Sequence, residues 1–271
     1  MRVESGFAAG SGLQNQVLPR IGDRSPAIAP SEIAPDVHVC LPVPHLSAPR
    51  ADYLTTYHSY SRPHSGFVKK VEAEKLTEIL IDFHKAVVIE VTQRRRRAPT
   101  KYKSFEPHKI RTFFESYNPS RKPILEIAAD VLSTLLRAHP FPNANHRTTL
   151  FATEALFKAN GLRFPHYEGV TPRWRRRYVA DCNRFIPESK YWLKLRRNRD
   201  KLGKGARVLQ VTKTRMHAIN PGDLDLNKGQ MAAKHLAMTK EWLIELLGDQ
   251  SDKYRRVSPE ALTRLIAQAE R

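Results

Sequence analysis

From Val71 onward, apolar residues recur at helical spacing. Leu76, Ile79, Leu80, Phe83 and Val87 form one stripe and predict a first helix. The run Val87 to Thr92 then turns β-branched, which favours a strand. Arg94 to Pro99 breaks that run, so the pattern predicts a short hairpin around residues 87 to 105. Ile110, Phe113, Phe114 and Tyr117 mark a second helix over His108 to Tyr117. The cleanest stripe follows: Ile124, Ile127, Ala128, Val131, Leu132 and Leu135, with Pro123 suited to the first helical position. Pro140 and Pro142 forbid a helix across their segment, because each lacks an N–H and restricts its predecessor. A further helix spans Thr148 to Asn160 and is closed by Gly161.

Beyond Gly161 the pattern predicts two basic helices, Pro172 to Phe185 and Ser189 to Asp200. Val208 to Val211 suits a short strand, and Pro221-Gly-Asp a turn. Leu236, Trp242, Leu243, Leu246 and Leu247 stripe a helix ended by Gly248. Ser258-Pro-Glu opens the last helix with an N-cap, a proline and an acid. The reading is therefore all-α with one short hairpin. Residues 1–64 hold eight of the nineteen prolines and no lysine. Without periodicity they read as a disordered or extended arm, or as sequence upstream of a later start. Residues 65–204 read as the main domain and 205–271 as a basic, mainly helical C-terminal extension.

Charge narrows the partners. Lys and Arg number 46 against 27 acids, a net charge of +19. Residues 1–64 carry five Arg and five acids, so the excess lies downstream. Between Arg173 and Lys204 there are twelve Lys or Arg against three acids. Arg94–Arg97 and Arg173–Lys204 suit nucleic acid, a ribosome or another anionic surface, and equally a merely solvated face. The two cysteines, Cys40 and Cys182, form no zinc pattern or disulfide framework. No apolar run approaches membrane-spanning length, so the expected setting is cytoplasmic, with no membrane partner.

The densest chemistry lies at His139-Pro-Phe-Pro-Asn-Ala-Asn-His-Arg147. His139 is a base near neutral pH. Asn145, His146 and Arg147 stand at the front of a helix, where unpaired N–H groups and the dipole favour phosphate. A cation such as Arg147 is unfavourable at that end unless an anion compensates it. Phe141 reads as a structural anchor for the loop, and Asn145 alone could be only a cap.

This stretch resembles the core motif of the Fic/Doc (Fido) family, written H-x-F-x-(D/E)-(A/G)-N-x-R. His139, Phe141, Ala144, Asn145 and Arg147 match it. Glu126 to Ala138 and Thr148 to Gly161 are similar to the helices flanking the motif in death-on-curing (Doc) proteins, and Leu76 to His84 is similar to their first helix. The resemblance implies a Fic/Doc-type helical bundle that transfers part of ATP to a protein hydroxyl. His139 would be the base, and Asn145, His146 and Arg147 the phosphate site. Asn143 stands where the family has an acid that holds Mg²⁺, which leaves a weak metal position. His146 stands where AMP-transferring members carry glycine and Doc carries lysine, which implies Doc-like phosphorylation.

The alternatives are protein AMP transfer, or a catalytically weak Fido fold that binds nucleic acid or ribosomes. The hairpin near 87–105 would align the target segment by strand pairing. The family's inhibitory helix needs Ser or Thr four residues before a Glu, and Phe164 fills that place before Glu168-Gly169. An inhibitor protein of antitoxin type is therefore an implied partner, beside the Ser-, Thr- or Tyr-bearing target.

Overall fold

The computed structural model describes residues 67–162, 172–202, 205–212, 215–248 and 254–271, with the backbone alone over 172–179. The described chain is mostly helical. It contains α1 (Lys70–Arg95), α2 (Pro107–Glu115), α3 (Ile124–Ala138), α4 (Asn145–Ala159) and α5 (Pro172–Asn198). After a 3-10 turn come β1 (Val208–Gln210), β2 (Met216–Ala218), the single turn α6 (Pro221–Leu224), α7 (Lys228–Leu247) and α8 (Ala261–Ala269). Residues 1–64 and the Phe164–Gly169 segment lie outside the described residues.

Helix α3 is the centre, and its sequence explains why. Ile124, Ile127, Ala128, Val131, Leu132 and Leu135 are all buried, and so are Ala129 and Leu136 on the adjoining face. A helix apolar over so wide an arc has to be covered on several sides. Helices α4 and α7 pack against it, α1 packs on α2 and α4, and α8 packs on α1 and α4. Trp242, Leu243, Leu246 and Leu247 of α7 and Leu262, Leu265 and Ile266 of α8 join the same core. Lys75–Glu270 and Lys240–Glu126 ion pairs lie over these contacts. Tyr191 and Leu195 of α5, Leu209 and Val211 around β1, Ile219 and Met231 form a smaller second cluster.

The structure moves the hairpin. Residues 87–95 are helical, not a strand, because Val87 and Val91 continue the spacing of Ala73, Leu76 and Leu80 and are themselves buried. Burial of two valines outweighs a helix-propensity deficit of under about 1 kcal/mol each. Helix α1 ends only at Arg95, capped by Arg96, which is left-handed at φ 49°. The hairpin is instead β1 and β2, antiparallel, with Leu209 opposite His217.

Two expected basic helices are one. Helix α5 runs through Pro187, with Phe185 and Ile186 buried before it and Tyr191 and Leu195 after it. Proline in a helix removes one hydrogen bond and can be tolerated when both flanks are packed. Gly161 and Gly248 adopt positive φ and close α4 and α7 as expected. Helix α8 starts at Ala261, after a turn over the Ser258-Pro-Glu segment.

Candidate functional site

The six residues His139 to Ala144 join α3 to α4, and both ends of this loop are left-handed. His139 caps α3 at φ 51° while its N–H donates to the Leu135 carbonyl, and Ala144 precedes α4 at φ 52°. Such a conformation costs a non-glycine residue roughly 1–2 kcal/mol, so neighbouring contacts must hold it. Asn145 supplies them. Its Oδ1 accepts from the Phe141 N–H at 3.0 Å and its Nδ2 donates to the Phe141 carbonyl at 2.8 Å. The Phe141 ring is fully buried, stacked at 4.5 Å on His84 and at 5.7 Å on Phe105.

The segment between α1 and α2 lies along this loop. The Tyr102 N–H donates to the Pro142 carbonyl, the Glu106 N–H to the Pro140 carbonyl, and Asn143 Nδ2 to the Pro99 carbonyl. The expected target-aligning hairpin is therefore absent here, and a non-regular strap takes its place. Tyr102 Oη sits 3.3 Å from His139 Nε2 and accepts from Asn145 Nδ2 at 3.1 Å. While accepting from the amide, the phenol can donate its own proton to Nε2 in the tautomer that carries the ring proton on Nδ1.

The electrostatics keep His139 neutral. Burial, then the charges of Arg197, Lys103 and Lys109, push its pKa down to about 4. Glu106 opposes this weakly, since Lys103 and Lys109 both pair with it and hold its carboxyl at about 2. Partial desolvation of its hydroxyl raises the Tyr102 phenol although much of the residue is exposed, so at neutral pH a protonated hydroxyl faces a neutral imidazole.

The other motif residues divide. Asn143 is buried and its Oδ1 has no hydrogen-bond partner. Arg147 is half-buried in the first turn of α4, whose N-cap, Ala144, provides no side-chain cap. His146 Nε2 is 3.1 Å from Ser189 Oγ of α5. Ser189 Oγ is 2.8 Å from His235 Nε2 of α7, and His235 Nδ1 is 2.8 Å from Ser133 Oγ of α3. A buried polar chain thus ties the motif helix to three neighbours. Arg94 to Arg97 are exposed, with Arg94 paired to Glu90. The Arg173–Arg177 side chains lie outside the described residues.

Sequence reasoning missed Tyr102, His84, Ser189 and His235. None stands at a diagnostic spacing from the motif, and only tertiary packing brings them to it.

The buried histidines predict acid lability. Burial, followed by the charge of Arg137, pushes His235 down to about 3, and burial also lowers His84. A histidine depressed in the folded state costs nothing above its unfolded pKa. Below about 6.5 the unfolded chain gains protons that the native state refuses, so stability falls toward pH 4. For His235 alone the loss reaches about 2 kcal/mol at pH 5. Thermal unfolding midpoints should be flat from pH 8 to 7 and fall below it. His235→Gln, which cannot titrate, should show the smaller fall; identical pH profiles would refute the assignment.

Among the described residues no helix is long and apolar enough to cross a membrane. No curated protein and no solved structure matches the sequence. The family of unknown function DUF8172 matches residues 67–257, which include the whole strap and motif loop and more than half of the chain, and the chain belongs to that family.

Proposed function

We propose that the protein is a nucleotide-dependent transferase that moves the terminal phosphoryl group of ATP to a hydroxyl of a protein target. One observation carries this reading: a neutral imidazole, His139 Nε2, faces a hydroxyl at 3.3 Å directly beside the start of α4. General-base transfer needs that geometry before it needs any particular pKa. A base held near 4 is weak; an arriving polyphosphate would offset the smaller, cationic part of that depression, chiefly Arg197, and leave the larger part due to burial. The phosphate chain would lie at the front of α4 beside Arg147, where positioning and charge neutralisation do most of the catalytic work. If Tyr102 moves aside, one Asn145 N–H becomes available to the ligand.

One buried oxygen would suit a weak metal ligand. Asn143 Oδ1 is a buried oxygen without a partner, and amide oxygens bind hard cations without adding charge. Among the described residues no group of three or more His, Cys, Asp or Glu could hold a metal ion. Mg²⁺ would then rest on Asn143 and the nucleotide's own phosphates, neutralising charge on the transferred group.

Incubation with γ-labelled and α-labelled ATP in lysate tests the reading. γ-Label retained on a protein is the expected result, α-label would mean AMP transfer, and neither would leave a non-catalytic basic module. Arg147→Ala should weaken ATP binding by about 1.5–3 kcal/mol, the range for charge-assisted hydrogen bonds. Unchanged binding by calorimetry would move the phosphate seat elsewhere. Asn143→Asp should lower the Mg²⁺ concentration for half-maximal transfer, because a carboxylate adds a full charge to the shell. It also loses the bond to the Pro99 carbonyl, so Asn143→Ala is the control. Superimposable magnesium titrations of all three proteins would remove residue 143 from the metal.

A further inference from the structure

We propose that Tyr102 is an internal acceptor of the transferred group, so that the protein phosphorylates its own strap. The proposal rests on the transferase reading above and deepens it by naming one substrate. Tyr102 is 58% exposed, so its ring is not held in place by core packing. What fixes it is polar: the Tyr102 N–H bond to the Pro142 carbonyl and the Oη contacts to His139 and Asn145. Those two partners supply what an acceptor oxygen needs. His139 is the base, and Asn145 is the first residue of the helix whose start would seat the phosphates. On the transferase reading the phenol is a hydroxyl in contact with the base and next to the proposed phosphate seat, as a target hydroxyl would have to be.

In the step, Tyr102 Oη attacks the γ-phosphorus of a bound nucleoside triphosphate. The Oη–P bond forms, the bond from that phosphorus to the bridging oxygen breaks, and the nucleoside diphosphate leaves with that electron pair. The phenolic proton passes to His139 Nε2. The product is a phosphotyrosine dianion in a cationic setting. The charge of Arg197 acts on both Tyr102 and His139, and that of Lys103 and Lys109 on His139. Arg197 is an exposed residue of α5. Such a guanidinium group suits a phosphate monoester. A modified Tyr102 could no longer lend its proton to His139, so the modification would change access to the base.

The test uses the full chain with γ-labelled ATP and Mg²⁺, with lysate proteins present in a parallel reaction, followed by peptide mass mapping. One phosphoryl group on Tyr102 is expected, absent in Tyr102→Phe and in His139→Asn. The labelled fraction per minute should not change over a hundredfold dilution of the protein, as an intramolecular step requires. Labelled lysate proteins with an unmodified Tyr102 would overturn the proposal and leave the transferase reading standing. Label on neither would overturn both. Label that His139→Asn acquires on Tyr102 from added Tyr102→Phe protein would overturn the intramolecular step, and AMP on Tyr102 would overturn the phosphoryl step.

Discussion

Replacing His139 should lower transfer by about 10²–10⁴-fold, the usual contribution of a positioned general base. The cleaner variant is His139→Asn rather than alanine. His139 caps α3 in the left-handed region, which asparagine adopts more readily than alanine does. Asparagine is too short to replace Nε2 at Tyr102, and it cannot take a proton at neutral pH. The imidazole is not a packing element of the core, unlike Phe141 two residues later. The far-ultraviolet spectrum should therefore be unchanged and the melting temperature shifted by no more than a few degrees. ATP binding should persist, since the proposed phosphate seat lies at α4. Transfer within tenfold of wild type, with a normal spectrum, would mean that another group takes the proton.

The parts of this architecture legible in the sequence are those that local periodicity encodes. Helix α3 is legible because its stripe is unbroken from Ile124 to Leu135 and every member is buried. The loop between α3 and α4 is legible because Pro140 and Pro142 exclude a helix whatever surrounds them. The end of α1 was misread because β-branched residues look the same in a strand and on the buried face of a helix. Only the burial of Val87 and Val91 in the bundle separates the two. Pro187 is the opposite case: a local breaker is overruled where both flanks are packed.

The candidate site divides in the same way. The motif residues are adjacent in sequence and were found there. Tyr102, 37 positions before His139, reaches it only because backbone bonds lay the strap on the loop. His235 meets Ser189 because α5 and α7 pack side by side, Ser189 in turn meets His146, and no spacing rule encodes either contact. The sequence also left open whether Asn145 was a cap or a ligand. In the structure its side chain fixes the backbone of Phe141 and touches Tyr102, so loop geometry and the proposed binding seat depend on one residue.

Phe141→Ala should destabilise the protein by roughly 3–5 kcal/mol, the range for deleting a fully buried phenylalanine ring. The ring has no exposed surface, and its two faces stack on His84 and Phe105 from different elements. Removing it leaves a gap between helix α1 and the strap that neither can close without moving the loop. The loop is poorly placed to relax, because His139 and Ala144 already hold left-handed conformations at its ends. A loss of that size is a large fraction of the 5–15 kcal/mol that most domains have. Urea unfolding should show a lower midpoint with an unchanged slope, as expected when the native state loses packing and the surface exposed on unfolding stays the same. Phe141→Leu, which refills part of the space, should lose less stability. It should also retain more transfer activity, since the imidazole of His139 is positioned by the loop that the ring anchors. If Phe141→Ala costs under about 1 kcal/mol, the anchor lies elsewhere. The bonds from Asn145 to the Phe141 backbone would then be the principal restraint on the loop, and Asn145→Ala would be the more damaging change.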